Sequence, residues 1–128
     1  MALAERNESV QLWDPGQASA EASLWRGRGP GTTSTVEGRS LWSLMTRHAP
    51  PPTIVKMDCE GAEYAAILTS PPGTWDSVEH VILEYHPVPG AHFSDLRRRL
   101  EDLGFHLEWH APDDRDPNLG MACFDRTP

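Results

Sequence analysis

Two short segments of this chain carry the side chains best suited to chemistry. The first is Lys56-Met57-Asp58-Cys59-Glu60-Gly61-Ala62-Glu63-Tyr64. Lys56 and Asp58 stand two apart in a run that reads as a strand, so they share one face. A lysine inside an otherwise apolar strand is costly unless paired, and the neighbouring carboxylates are its expected partners. Asp58 falls where the strand gives way to a helix, and in open α/β sheets ligands bind beyond the carboxyl ends of strands. Gly61 lets a backbone or a ligand come close at the first helical turn. The second segment is Glu84-Tyr85-His86, which closes an apolar run with Glu84 and His86 on one strand face. If the two strands are neighbours, Asp58, Glu60, Glu84 and His86 converge on one rim. His86 is then a candidate general base, because an imidazole titrates near neutrality. The same rim also suits a divalent cation held through oxygen and nitrogen, although no residues are assigned as metal ligands. A purely structural alternative stands beside this. Carboxylates such as Glu60 and Glu63 are favoured near a helix N-terminus by its dipole, Lys56 pairs with Asp58, and Glu84 and His86 end a strand in solvent.

Other candidates are weaker. His106 and His110 are four apart on a likely strand and so face the same side, with no partner at metal spacing. Arg97-Arg98-Arg99 lies beside Glu101 and Asp102 and reads as a solvated helix face. Gly27-Arg28-Gly29-Pro30-Gly31 lacks the GK[ST] of a phosphate loop and sits at no strand-to-helix junction. Nothing near Cys59 suggests a depressed thiol pKa. Cys59 and Cys123, with no CxxC pattern, read as reduced thiols.

These residues need elements to position them. Thr53 to Asp58 reads as a strand, Cys59 to Leu68 as a helix ended by Ser70-Pro71-Pro72-Gly73, and His80 to His86 as a second strand. That second strand is nearly continuous in apolar character, as expected when both faces are covered. In the next segment Phe93, Leu96, Leu100 and Leu103 share a helical face, and Gly104 suits its C-terminal cap. Phe105 to Trp109 and Gly120 to Phe124 are expected to form an antiparallel hairpin. Before Thr53 the pattern is poor. Val10 to Trp13, the turn signal Asp14-Pro15-Gly16 and Ala20 to Trp25 suggest a hairpin, Arg26 to Thr35 a loop, and Ser40 the cap of a short helix over 41–45. Alternating strands and helices from Thr53 onward imply a parallel sheet.

Length and charge bound the rest. The 128 residues carry 11 basic and 19 acidic side chains, a formal charge of −8. One domain, 1–128, fits that length; a complete open α/β sheet of six or seven strands needs about 150–200 residues. The acidity argues against nucleic acid as a partner. No apolar run approaches roughly 18 residues, so no membrane span is expected. The N-terminus has no signal-peptide pattern, and a cytoplasmic location is expected.

The segment from Ile54 to Tyr64 resembles the hallmark (I/L)K(I/M)D-x-EGAE(Y/L) of FkbM-type methyltransferases, where it forms the fourth strand and following helix of a class I S-adenosylmethionine (SAM) fold. Val81 to His86 resembles that family's fifth strand, an apolar run ending in E-x-H. Leu96 to Phe105 resembles the next unit, and Ser40 to Leu44 the segment before the hallmark. Val10 to Trp25 resembles the third-strand region more loosely. The resemblance implies a Rossmann-like α/β sheet, SAM as cofactor, and O-methylation of a hydroxyl on a small molecule or glycan. It places Asp58, Glu60, His86 and Lys56 in the catalytic group, with His86 or Asp58 as the candidate base, and Glu84, Gly61 and Glu63 towards the substrate. The family's cofactor site lies on its first two strands, with a D-x-G-A-N-x-G turn that this sequence lacks. A truncated or split form is therefore expected. Its strand 53–58 would be left as a sheet edge, open to a second copy or to a separate N-terminal half. A non-catalytic remnant and a metal-dependent enzyme remain as alternatives.

Overall fold

The computed structural model describes residues 1–16, 22–24 and 30–126. Among the described residues, seven strands form two sheets, accompanied by three α-helices. The strands are β1 (Ala2–Leu3), β2 (Glu8–Asp14), β3 (Thr32–Arg39), β4 (Ile54–Asp58), β5 (His80–Tyr85), β6 (Phe105–Pro112) and β7 (Gly120–Arg126). The helices are α1 (Leu41–Met45), α2 (Ala62–Thr69) and α3 (Phe93–Asp102), with a 3-10 turn at Pro72–Trp75.

The larger sheet has the order β4-β5-β7-β6. β4 and β5 are parallel, and β7 runs antiparallel to both β5 and β6. The expected parallel pair and closing hairpin are both present. One face of this sheet is covered. Val55, Met57, Val81, Leu83, Tyr85, Ala122 and Phe124 pack into a buried cluster with Ile67 of α2 and Leu96 and Leu100 of α3. Fully burying such side chains contributes about 1.5–3 kcal/mol each before chain entropy is counted. The α3 face read from sequence is the face that packs, and the helix is followed by Gly104 at φ +89°.

The other face departs from expectation. β5 alternates, with Val81, Leu83 and Tyr85 fully buried but Ile82 and Glu84 only half-buried. On β4 every second residue, Ile54, Lys56 and Asp58, is exposed. The strand read as covered on both faces is thus covered on one, because α2 and α3 pack on the same side. Hydrophobic continuity could not separate the two cases.

The smaller sheet was not expected. β3 lies between β1, to which it is parallel, and β2, to which it is antiparallel. The hairpin reading of 10–25 therefore needs correcting. β2 pairs with Thr32–Arg39, part of which read as loop, and Ser23 meets β2 only through an isolated bridge to Trp13. Ala20, Glu21 and Trp25 of that expected returning strand, and residues 26–29 of the expected loop, lie outside the described residues. Ser40 caps α1 as expected, its side chain accepting from Ser43 N–H. Among the described residues no helix is long and apolar enough to cross a membrane.

Candidate active site

The carboxyl ends of β4 and β5 lie side by side, with Asp58 in register with Glu84. After Asp58 the chain leaves the sheet through two consecutive left-handed residues, Glu60 at φ +50° and Gly61 at φ +99°. Gly61, the N-cap of α2, tolerates that conformation freely, whereas Glu60 holds it at a cost of about 1–2 kcal/mol. The helix consequently starts at Ala62 rather than Cys59. The three residues read as its first turn form a loop whose N–H groups curl inward.

They curl around Glu63. Its side chain is fully buried. Oε1 accepts from Cys59 N–H at 2.5 Å, and Oε2 accepts from Gly61 N–H at 2.9 Å. Oε1 also lies 3.2 Å from His86 Nδ1. A carboxylate bonded at one ring nitrogen fixes the orientation of the imidazole and leaves the other nitrogen for chemistry. Nε2 faces the rim, 3.7 Å from Glu60, 4.0 Å from Asp58 and 4.0 Å from Glu84. The hydrogen bond to Glu63 raises the His86 pKa above its ordinary value; burial opposes this, and the charges of Glu63, Glu60 and Glu84 add to the rise.

Four of the residues read from sequence, Asp58, Glu60, Glu84 and His86, are therefore brought together. Lys56 is not among them. It is exposed on β4 and makes no ion pair among the described residues, because β4 lies at the sheet edge and desolvation does not force pairing. Glu63, expected to touch substrate, has no exposed surface in this chain and instead bonds to Cys59 N–H, Gly61 N–H and His86. Gly61 likewise serves the loop, giving its N–H to Glu63. The link between Glu63 and His86 was missed in the sequence, where Glu63 also fitted an ordinary helix N-terminus. Its one available signal was a carboxylate set five residues after Asp58, the residue that closes the strand.

Asp58, Glu60 and His86 can each offer one ligand atom, all within 4.8 Å of one another, a set able to hold a metal ion. Beside them lies a cavity of about 230 Å³, walled by Leu3, Leu12, Leu24 and Ala62, with Asp58 and Glu60 at its rim. Ser23 Oγ donates to Glu60 O and ties the smaller sheet to the loop. Cys59 lines the same cavity, but burial and then Glu63 push its thiol pKa up, which does not suit a nucleophile.

His106 and His110, expected on one side of β6, point to opposite sides. A bulge between Leu107 and Trp109 inserts Glu108 and reverses the alternation. His110 Nε2 lies 2.8 Å from the Tyr85 hydroxyl, and its ring stacks on Phe93 at 4.0 Å. Arg99, read as solvated, donates to Ser70 O and so ties α3 to the end of α2.

A family model, that of the methyltransferase FkbM domain, matches residues 5–107. No curated protein and no solved structure matches the chain.

Proposed function

We propose that this chain, which belongs to the FkbM methyltransferase family, forms the acceptor-activating part of a SAM-dependent O-methyltransferase. The observation that carries the reading is the Glu63–His86 pair at the ends of two parallel strands. His86 Nε2 takes the proton of an acceptor hydroxyl, and Glu63 holds the ring and stabilises the imidazolium that forms. Asp58 and Glu84 orient the acceptor from the rim. An apolar part of the acceptor fits against Leu3, Leu12 and Leu24, and the surrounding carboxylates favour a neutral acceptor over an anionic one.

The described residues do not fit SAM. The glycine turn between β4 and α2 already gives the N–H groups of Cys59 and Gly61 to Glu63, so they are unavailable to a ligand. No D-x-G-A-N-x-G turn occurs elsewhere in the chain. We therefore place the SAM-holding strands of a Rossmann-like fold outside these 128 residues.

Calorimetric titration of the purified chain with SAM should give no binding; tight stoichiometric binding would overturn this partition. Mixed with a separately expressed SAM-binding half of an FkbM methyltransferase, the chain should methylate hydroxyl acceptors. His86→Gln should slow that transfer by about 10²–10⁴-fold, the usual worth of a general base. Equal turnover in the variant would remove His86 from the mechanism.

A second reading rests on the clustering of Asp58, Glu60 and His86. In it Asp58, Glu60 and His86 would hold a divalent cation, which would supply Lewis-acid polarisation of the acceptor hydroxyl. Metal analysis of protein purified without chelator tests it. One equivalent, lost in Asp58→Asn, would support it, and metal-free protein would count against it.

A further inference from the structure

β4 is an edge strand, and the direction of its backbone can be read from one carbonyl. Thr53 O accepts from Glu79 N–H at 2.7 Å and His80 N–H at 3.1 Å, so Thr53 faces β5. By alternation Val55 and Met57 face β5 as well. The N–H and C=O groups of Ile54, Lys56 and Asp58 therefore point outward, and no described strand pairs with them. Such a row is a template for another strand.

Natural edges are commonly blocked by a charged residue, and Lys56 alone would serve that purpose. Its charge is answered two residues later by Asp58 on the same exposed face. In an antiparallel pairing of two identical strands, the residue numbers of facing partners have a constant sum. With the two-fold axis at Met57, Lys56 faces the partner's Asp58, and Asp58 faces the partner's Lys56. Both residues carry outward-pointing backbone groups, so these are also the hydrogen-bonded pairs of the new ladder, and Met57 faces the partner's Met57 between them. A shift of the axis to Lys56 sets lysine against lysine, and a shift to Asp58 sets carboxylate against carboxylate. One register is attractive and its neighbours are repulsive.

We propose that two copies of this chain pair through β4, antiparallel about a two-fold axis at Met57, to join their four-stranded sheets into one. The partner is a second copy because the pattern is self-complementary, as an isologous interface requires. This inference does not depend on the chemistry assigned to His86; a separate SAM-binding half would need the same edge of β4, so the dimer is proposed for the chain without that half.

Size-exclusion chromatography with light scattering on the full chain should show a dimer. Lys56→Asp replaces two attractive cross-strand contacts with two repulsive ones and should raise the dimer dissociation constant about tenfold or more. Asp58→Lys should do the same by setting lysine against lysine. The double variant Lys56→Asp/Asp58→Lys restores opposite charges in the same register and should recover the dimer. Since Lys56 and Asp58 are exposed, the double variant also separates lost pairing from lost folding. Hydrogen exchange adds a residue-level reading: the amides of Lys56 and Asp58 should be protected in the dimer and lose protection in Lys56→Asp. A monomeric wild-type chain, a dimer indifferent to Lys56→Asp, a double variant that stays monomeric, or a dimer with freely exchanging Lys56 and Asp58 amides would each overturn the proposal.

Discussion

Glu63→Gln is the substitution most informative about the site, because it keeps the shape of the side chain and removes its charge. In the native site Oε1 accepts from Cys59 N–H and faces His86 Nδ1, while Oε2 accepts from Gly61 N–H. Glutamine offers one oxygen. Placed at Oε1, it can still serve Cys59 and His86, but its NH2 then faces the Gly61 N–H, donor against donor. Hydrogen bonds to a charged group contribute about 1.5–3 kcal/mol, and a buried unsatisfied donor costs about 1–3 kcal/mol. The loss expected is therefore about 2–4 kcal/mol. Its pH dependence has a definite sign. The His86 pKa is raised in the folded chain, first by the bond to Glu63, so the folded state holds a proton that the unfolded state releases at lower pH. The stability this brings is fully present below the unfolded value of about 6.5 and is lost as pH rises through the raised folded value. The gap between wild type and variant should thus be wider at pH 6 than at pH 9. Urea denaturation followed by tryptophan fluorescence, with fully buried Trp75 as a reporter, gives the free energies at each pH. A variant within about 0.5 kcal/mol of wild type at both pH values, the usual size of a neutral surface change, would refute the buried-carboxylate argument.

Further predictions concern the packing that supports the site. A Cβ on Gly120 would stand 2.5 Å from the Tyr85 hydroxyl and 2.7 Å from Ala111 O, so Gly120→Ala should destabilise by about 1–3 kcal/mol. Adding Tyr85→Phe should recover only part of that in a double-mutant cycle, since the backbone clash remains. The Arg126 guanidinium donates to the carbonyls of Trp75, Val78 and Leu103 and lies over the Phe105 ring at 4.4 Å. Arg126→Ala should lower the melting temperature by about 10 °C in a thermal scan, from a loss of about 2–3 kcal/mol. Leu83→Ala, at a fully buried position under the rim, should cost about 2–5 kcal/mol in urea denaturation.

The rim was legible in the sequence because polar residues that end apolar runs have few places to go. Asp58 and His86 each follow such a run, and once two parallel strands are adjacent their ends must meet. Helix α3 was legible for the same reason, its apolar residues falling on one side at helical spacing. The smaller sheet was not. β3 reads TTSTVEGR and leaves most of its side chains exposed, so it is held by its backbone ladder to β2 rather than by buried side chains. Hydrophobic periodicity carries no signal for such a strand. The bulge at Glu108 was hidden too, because one inserted residue reverses the facing of every residue after it. That is why His110 stacks on Phe93 instead of joining His106. At Lys56 the pairing rule was right for a buried lysine but did not apply at an edge.

The position of Glu63 bears on how His86 would act as the proposed base among so many acids. Four carboxylates, of Asp58, Glu60, Glu63 and Glu84, lie within 4.0 Å of His86, and together they favour the protonated ring. A base with a raised pKa is a stronger proton acceptor, but it is free to accept a proton in a smaller fraction of molecules at neutral pH. The two effects work against each other below the raised pKa, where each gain in basicity is offset by a loss of free base. Above it the whole population is competent and the added basicity is retained. In the proposed mechanism such a base would suit a weakly acidic hydroxyl, whose proton a histidine of ordinary pKa would take less readily. Glu63 makes that tuning durable because it is buried and bonded to two backbone N–H groups. Its position is fixed by the fold, whereas Asp58 lies on the exposed rim.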